Sequence, residues 1–431
     1  MSQNSFSRLS ASLLAAASLS LVACGSSNDA AAPTSEPEAI QLISLSNFQA
    51  ADIVIGQADF AGGDANQGGT TPDGNTIDIP YGNAGVHNGV LYLPDYGNHR
   101  LLGYNAIPAV NNAIADFVLG QVDFTSAVGA ASATAFKGVQ TVTFDQGKML
   151  MTSYSNNRVL IWDSVPTSGG VPADRVVGQV DLDSAGLGCS ATQLGGPEAI
   201  AAVAGKLIVT DVKNSRVLIW NTIPTSNGVA ADIVLGQQNF DHCVSNDANA
   251  DGAPDAAPTA STMRGPAGVW SDGKRLVVLD GGNNRVLIWS SFPTSNAAPA
   301  DVVLGQSDFV HVKENDDDQD GSTDPQPTAR TLNGPYDGVY SNGQQLFIAD
   351  SYNDRILIWN TFPTANFMPA DVVLGQSDFA HDTENDDNQD GTDDGSPSAR
   401  TFNFPSGVLQ VGNQLIVTDG GNSRYLIYNG Q

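Results

Sequence analysis

Two short phrases, each written six times along this chain, limit what it can fold into more than any other feature. The first is Ala-Asp, three mostly apolar residues, then Gly-Gln. It begins at Ala51, Ala115, Ala173, Ala231, Ala300 and Ala370 and places glutamines at Gln57, Gln121, Gln179, Gln237, Gln306 and Gln376. The second leads through Asn and its polar neighbours into an arginine and an apolar run, at Arg100, Arg158, Arg216, Arg285, Arg355 and Arg424. Ahead of each arginine lies a Gly-rich apolar stretch, as in Pro266–Val269 followed by Leu276–Asp280. A fixed period of this kind means one supersecondary unit that buries its apolar faces only against copies of itself.

Each unit holds four short strand candidates rich in Val, Ile and Leu, separated by Gly, Asn, Asp and Pro. Their apolar character is two-sided. In the run from Arg285 to Trp289, Val286 and Ile288 point one way while Leu287 and Trp289 point the other. Strands buried on both faces belong to a sheet sandwiched between neighbours, and radially stacked blades supply that environment. The chain after residue 47 opens with the Gly-Gln phrase, which elsewhere follows the arginine phrase as a fourth strand. It ends with the arginine phrase and no fourth strand. The reading is therefore all-β: a six-bladed β-propeller over 48–431, its ring closed by the N-terminal strand completing the last blade, with the segment at Ile53 set against the closing one at Leu426. Closure of that kind removes two exposed sheet edges.

Stretches such as Pro335–Val339, then Phe347–Asp350, Asn353 and Arg355, resemble NHL repeats. The resemblance spans most of 50–430 and is weakest in the second unit, where Ser153 stands in place of the Asp found at Asp95, Asp211, Asp280, Asp350 and Asp419. It implies an NHL-type propeller and leaves activity open, since that family includes protein-binding, RNA-binding and enzymatic members. The repeated Asp, Asn, Arg and Gln read as scaffold, because six copies around a ring serve architecture.

Function is expected where copies differ. Three consecutive connections from a fourth strand to the next first strand carry one acidic pattern: Asp247, Asn249, Asp251 and Asp255; Asp316, Asp318, Asp320 and Asp324; Asp386, Asn388, Asp390 and Asp394. Alternating oxygen ligands with a Gly at the sharp turn suit calcium, and the pattern is similar to dockerin and thrombospondin type 3 loops. Proline (Pro258, Pro327, Pro397) stands where an EF-hand has its bidentate Glu. Calcium is accordingly expected as a weakly held cofactor, with Kd about 10⁻⁴–10⁻³ M.

The chain begins with Arg8 and then an apolar stretch from Ala11 to Ala23, ending in Leu21-Val-Ala-Cys24-Gly25, which resembles the lipobox of bacterial lipoproteins. The resemblance implies a signal peptide at 1–23, lipidation of Cys24 and attachment in the bacterial cell envelope, at the outer membrane. Residues 24–47 read as a flexible tether. Outside the cytoplasm the two remaining cysteines, Cys189 and Cys243, in equivalent connections of adjacent units, are expected to form a disulfide. With 46 acids against 18 bases, the formal charge of −28 excludes nucleic acid as a partner.

Tyr81, Lys137, Glu198, Tyr336 and Asp337 enter or adjoin the innermost strands and are the candidate ligand-contacting residues at the channel mouth. No nucleophile elbow, zinc-type histidine set or isolated dyad appears, so no catalytic residue is assigned. The expectation is a monomeric, non-enzymatic binding or scaffold module for a protein or glycan partner, held to the membrane by lipid. The alternative is a metal-dependent hydrolase or lyase using the same mouth. Replacing Cys24 by Ser should move the protein from the membrane to the soluble fraction on cell fractionation; undiminished membrane attachment refutes lipidation.

Overall fold

The computed structural model describes residues 41–431; the signal segment 1–23, Cys24 and the tether as far as residue 40 lie outside the described residues. Six four-stranded antiparallel sheets form the ring. Blade 1 runs from Gly85 to Leu119, blade 2 from Val139 to Val177, blade 3 from Pro197 to Leu235, blade 4 from Pro266 to Leu304 and blade 5 from Val339 to Leu374. Blade 6 takes three strands from Pro405 to Asn429 and its fourth, Ile53–Ile55, from the other end of the chain. That closing strand pairs Ile53 with Ile427 and Val54 with Leu426, so the segment at Ile53 lies against the closing one at Leu426 as expected.

The two-sided strands sort as their alternation requires. Val286 and Ile288 pack in a cluster with Leu346, Ile348 and Leu357 of blade 5. Leu287 and Trp289 pack with Ile208, Val217 and Ile219 of blade 3. Hydrophobic burial therefore lies between blades, and no blade has a core of its own.

The N-terminal approach departs from the expected tether at 24–47. From Gln41 onward the chain lies against blades 5 and 6. Ile43 is 2% exposed and packs in a cluster with Phe347, Val408 and Leu415. Its N–H donates to Gln345 Oε1 at 2.9 Å, and its carbonyl accepts from Gln345 Nε2 at 2.9 Å. Asn47 Oδ1 accepts the N–H of Val373. An apolar residue in the right place, backed by an amide that satisfies its backbone, is enough to dock a segment whose composition otherwise reads as linker.

The repeated arginines have the structural role their repetition suggested. Arg285 is fully buried. Its Nε donates to Asp280 Oδ2 at 2.8 Å, and one terminal nitrogen donates to the carbonyls of Thr259 and Thr262, each at 3.0 Å. The other terminal nitrogen donates to the carbonyl of Phe309. One guanidinium thus holds the loop entering its blade, the turn inside it and the loop leaving it. Arg424 does the same at the seam, binding Asp419, Ser398, Thr401 and Phe60, so the closing strand is locked by more than its ladder. The residue before each arginine (His99, Asn157, Ser215, Asn284, Asp354 and Ser423) is left-handed, with φ between 49° and 56°, a conformation short polar side chains tolerate best.

Blade 2 lacks one part of this arrangement. Ser153 Oγ accepts the Lys137 N–H, as an Asp oxygen accepts the corresponding N–H elsewhere, but it does not reach the arginine. Arg158 Nε is buried without a partner, and burial pushes this guanidinium down to about 10. Ser153→Asp should supply the missing acceptor and raise stability by about 1–3 kcal/mol in urea denaturation. A variant no more stable than the parent counts against the carboxylate as the missing element.

Candidate functional site

The first strands line the central channel, and at its mouth the repeat is broken by insertion. Blades 3, 4 and 6 enter their first strand directly at Pro197, Pro266 and Pro405. Blade 5 carries one extra residue between Pro335 and Val339. Its Asp337 is driven to φ 49°, and its first strand begins only at Val339. Blade 1 carries extra residues after Pro80, with Gly82 at φ 72°. The carbonyl of Gln140 would lie 2.3 Å from any Cβ at Gly82, so only glycine fits there. Tyr81 and Tyr336, each following the proline at one of these insertions, face the mouth.

There they line a cavity of about 230 Å³ with Tyr96, Tyr154, Tyr352, Phe404, Gln140 and Glu198. The rings form a nearly continuous wall. Tyr96 lies 6.5 Å from Tyr154 and 5.1 Å from Tyr81; Phe404 lies 5.9 Å from Tyr81, 5.8 Å from Tyr336 and 5.2 Å from Tyr352. Edge-on contacts dominate, which is the preferred geometry for such pairs.

Glu198, on blade 3, stands among these rings. It is 2% exposed, and the Tyr336 hydroxyl donates to its Oε1 at 3.1 Å, while Oε2 has no hydrogen-bond partner. Burial raises its carboxyl to about 8, against the opposing pull of the Tyr336 hydroxyl and the Lys213 charge. Asp337 is wholly buried and neither of its carboxylate oxygens has a partner. Burial, and then the Glu198 charge, hold it well above the usual carboxylate range. Gln140 Oε1 is a further buried acceptor without a donor. Lys213 sits at the rim with its Nζ 4.6 Å from the centre of the Tyr154 ring.

Of the residues expected at the mouth, Tyr81, Glu198 and Tyr336 line the cavity, Asp337 is buried near Glu198, and Lys137 is exposed and not part of the wall. Tyr96, Tyr154, Tyr352, Phe404 and Gln140 escaped the sequence reading. The signal was present for three of them: Tyr96, Tyr154 and Tyr352 occupy the turn after the second strand, where blades 4 and 6 have Gly-Gly. A larger cleft of about 430 Å³, bounded by Val122, Val128 and Ala135, lies beside the loop after blade 1. Its one large polar side chain, Gln121, is already spent on the backbone of residues 98, 99 and 128.

The acidic loops share one conformation. Asp247, Asp316 and Asp386 each accept the N–H groups of the fourth and fifth following residues. The last aspartates, Asp255, Asp324 and Asp394, each accept the N–H of the residue seven positions earlier. Gly252, Gly321 and Gly391 turn the chain at φ 88°, 86° and 84°. The loops differ at their third position. Asn249 and Asn388 donate their amides to Asp255 and Asp394, whereas Asp318 has no proton to give. Only in the middle loop, among the described residues, do three carboxylates (Asp316, Asp318 and Asp324) gather with oxygens within 4.8 Å of one another. The Asp320 N–H favours ionised Asp318, but desolvation and the charges of Asp320, Asp324 and Asp316 outweigh it and raise the group. A hard cation with oxygen preference suits this donor set.

Each of these loops is anchored by a pair of amides that the sequence reading missed. Asn246 and Asn283, Asn315 and Asn353, and Asn385 and Asn422 exchange reciprocal hydrogen bonds of 2.9–3.1 Å. The second member of each pair also binds the buried Asp of its blade. Cys189 and Cys243 are disulfide-bonded, with Cα atoms 6.4 Å apart, and join the loops entering blades 3 and 4. His311 and His381 bond the carboxylates of Asp308 and Asp378 through Nδ1.

Comparison with protein families finds none that matches, and no curated protein matches. Among solved structures, virginiamycin B lyase from Staphylococcus aureus is 12% identical with a TM-score of 0.39, covering 83% of this chain and 98% of its own. An auxiliary nutrient binding protein from Bacteroides thetaiotaomicron is 11% identical at 0.44, covering 82% and 70%. An aldose sugar dehydrogenase from Streptomyces coelicolor, in its PQQ-bound form, is 16% identical at 0.43, covering 84% and 96%. Likeness this distant carries no argument about what the chain does.

The mouth has a pH signature. The folded protein holds the Glu198 proton up to about pH 8, whereas the ordinary value is 4.5. The contribution of this group to stability is therefore complete below about pH 4.5 and is lost as pH rises through about 8. Glu198→Gln, which never ionises, should be more stable than the parent by about 3–5 kcal/mol at pH 9 and nearly equal to it at pH 4. Denaturation curves of both proteins at the two pH values check this; an equal gap at both removes the assignment.

Proposed function

We propose that this chain is an NHL-type propeller anchored by lipid in the bacterial envelope and acting as a non-enzymatic binding module, with the aromatic channel mouth as its recognition site. What carries the reading is the wall of five tyrosines and a phenylalanine from blades 1, 2, 5 and 6, with Tyr81 and Tyr336 beside the insertions and Tyr96, Tyr154 and Tyr352 in turns where blades 4 and 6 have Gly-Gly. A scaffold alone gives no reason to gather rings from four blades around a cavity and leave buried acceptors unpaired inside it. The acidic loops connect blades on the same face as the turns bearing Tyr96, Tyr154 and Tyr352. In this reading calcium, held through Asp316, Asp318 and Asp324 and more weakly in the loops at 247–255 and 386–394, stiffens that face.

A second reading has one observation in its favour. A carboxyl that exchanges its proton near pH 8 inside a cavity is suited to general acid–base work, so a lyase or hydrolase using Glu198 is the competing function.

Calorimetric titration with calcium should show up to three weak sites, and Asp318→Ala combined with Asp320→Ala should remove the tightest. A flat titration eliminates the calcium role. For the mouth, purified protein should retain small molecules from an envelope extract, detected by mass spectrometry after washing, that a Tyr81→Ala, Tyr336→Ala variant with unchanged circular dichroism does not. Compounds released unchanged support binding, compounds released altered support the enzymatic reading, and identical profiles from both proteins overturn the mouth as recognition site.

A further inference from the structure

Resting on that reading of the mouth, we infer that its ligand presents a primary alkylammonium group, with the nitrogen directed to Glu198 and the alkyl chain laid against the tyrosine wall. The unpaired groups set the ligand's polarity. Glu198 and Gln140 line the cavity, Glu198 Oε2 and Gln140 Oε1 are buried acceptors without a donor, and both oxygens of the buried Asp337 carboxyl, outside the lining, are likewise unpaired. The donors at the mouth are hydroxyls, those of the wall tyrosines Tyr81, Tyr96, Tyr154 and Tyr352 and of buried Thr141 beside Gln140, and, Lys213 at the rim apart, the mouth has no positive charge to set against its two acids. An anionic ligand is repelled by these acids, and a neutral donor such as an alcohol can satisfy an acceptor but brings no charge to a carboxylate. An ammonium brings up to three N–H donors and the charge that a carboxylate at Glu198 lacks.

The wall sets the rest of the ligand. Aromatic faces attract cations through their quadrupoles and accept alkyl chains through burial. The protein shows this pairing at the rim, where Lys213 lays its own alkylammonium over Tyr154. Lys213 makes no ion pair with Glu198 within 4 Å among the described residues, so the interior acceptors remain for a second ammonium. A bare divalent ion is a poorer match. The ring-lined cavity offers it one carboxylate and an amide, where calcium takes six to eight oxygens.

The groups facing Glu198 are the Tyr336 hydroxyl, the Lys213 ammonium, the Asp337 carboxyl and the rings of Tyr81 and Tyr154. With the Glu198 carboxyl largely protonated at neutral pH, an arriving ammonium displaces its proton. Affinity should rise as pH goes from 6 to 8, by up to about tenfold per unit, and level off above that.

The test uses calorimetry on the protein from residue 25 onward, with butylammonium as probe and butan-1-ol as its uncharged counterpart. Butylammonium should bind at least about tenfold more tightly than butan-1-ol. Titrations at pH 7 in buffers of different ionisation heat should show release of about one proton per ligand. Glu198→Gln should lose that proton release and at least about tenfold in affinity while keeping its fold. A blocked lysine peptide separates the two sources of this chemistry: binding equal to or tighter than butylammonium assigns a protein side chain, and exclusion assigns a free amine. Equal binding of butan-1-ol, calcium binding abolished by Glu198→Gln, or butylammonium binding without proton release overturns the inference. In those cases the recognition role of the mouth still stands on the retention experiment with the Tyr81→Ala, Tyr336→Ala variant.

Discussion

A guanidinium with no access to water is destabilised by each nitrogen that lacks an acceptor, and this propeller uses that requirement to hold its loops. Six arginines stand at the head of six third strands, all fully buried. Five of them reach an Asp on the adjacent strand, and all six reach backbone carbonyls in the loops entering and leaving the blade. Strand pairing and interblade packing stack the sheets, but neither determines the path of the long connections on the mouth face. The arginines do, because moving a loop strands part of a buried charge. The same requirement closes the ring: Arg424 reaches the carbonyl of Phe60, from the opposite end of the chain.

That common frame explains how the acidic loops keep one shape while differing in chemistry. The path runs from Arg355 to Asp350, from Asp350 to Asn353, and through the amide pair to Asn315 at the root of the loop. Blade 1 has the same pairing between Asn98 and Asn66, although its loop has no acidic pattern. Blades 2 and 3 use Asn156 and Asn214 on backbone carbonyls instead. The amide pair is therefore a device for longer connections, and the carboxylates are carried on it. Within it one substitution changes the character of the site. Asn at the third position closes on the last Asp by hydrogen bond, while Asp318 opposes it by charge and leaves a triad of oxygens that a cation would stabilise.

The blades, their number and the strand exchange at the seam were legible because they rest on local pattern repeated in register. Partners far apart in sequence were less so. The pairing of Asn315 with Asn353 joins residues in different repeat segments, and neither bears a mark that distinguishes it from a turn asparagine. The docking of Ile43 depends on one apolar side chain and on Gln345, 302 positions away. At the mouth, Tyr81, Glu198 and Tyr336 were found because they enter first strands. Tyr96, Tyr154 and Tyr352 belong to a different segment of the repeat, and their convergence with the first set is a property of ring closure. The inserted residue at Asp337 was visible by aligning Pro335–Val339 with Pro266–Val269, and its consequence, a left-handed Asp beside Glu198, follows from backbone geometry.

Two buried carboxyls near one another are costly in any fold, and the other blades show that the architecture does not need them: blade 4 has Ala267 and Gly268 at the equivalent place. Where this chain buries an acid for structure, it supplies an arginine, an asparagine amide and a backbone N–H, as at Asp280. Glu198 receives one tyrosine hydroxyl, and Asp337 receives nothing. The same protein thus gives its five blade aspartates an arginine, an amide and a backbone N–H each, gives the buried loop acids Asp247, Asp316 and Asp386 two backbone N–H groups each, and leaves Glu198 and Asp337 short of donors beside a wall of rings. The difference lies in what completes them: the structural acids find their donors within the fold, whereas the pair at the mouth lacks donors that a bound cation can bring.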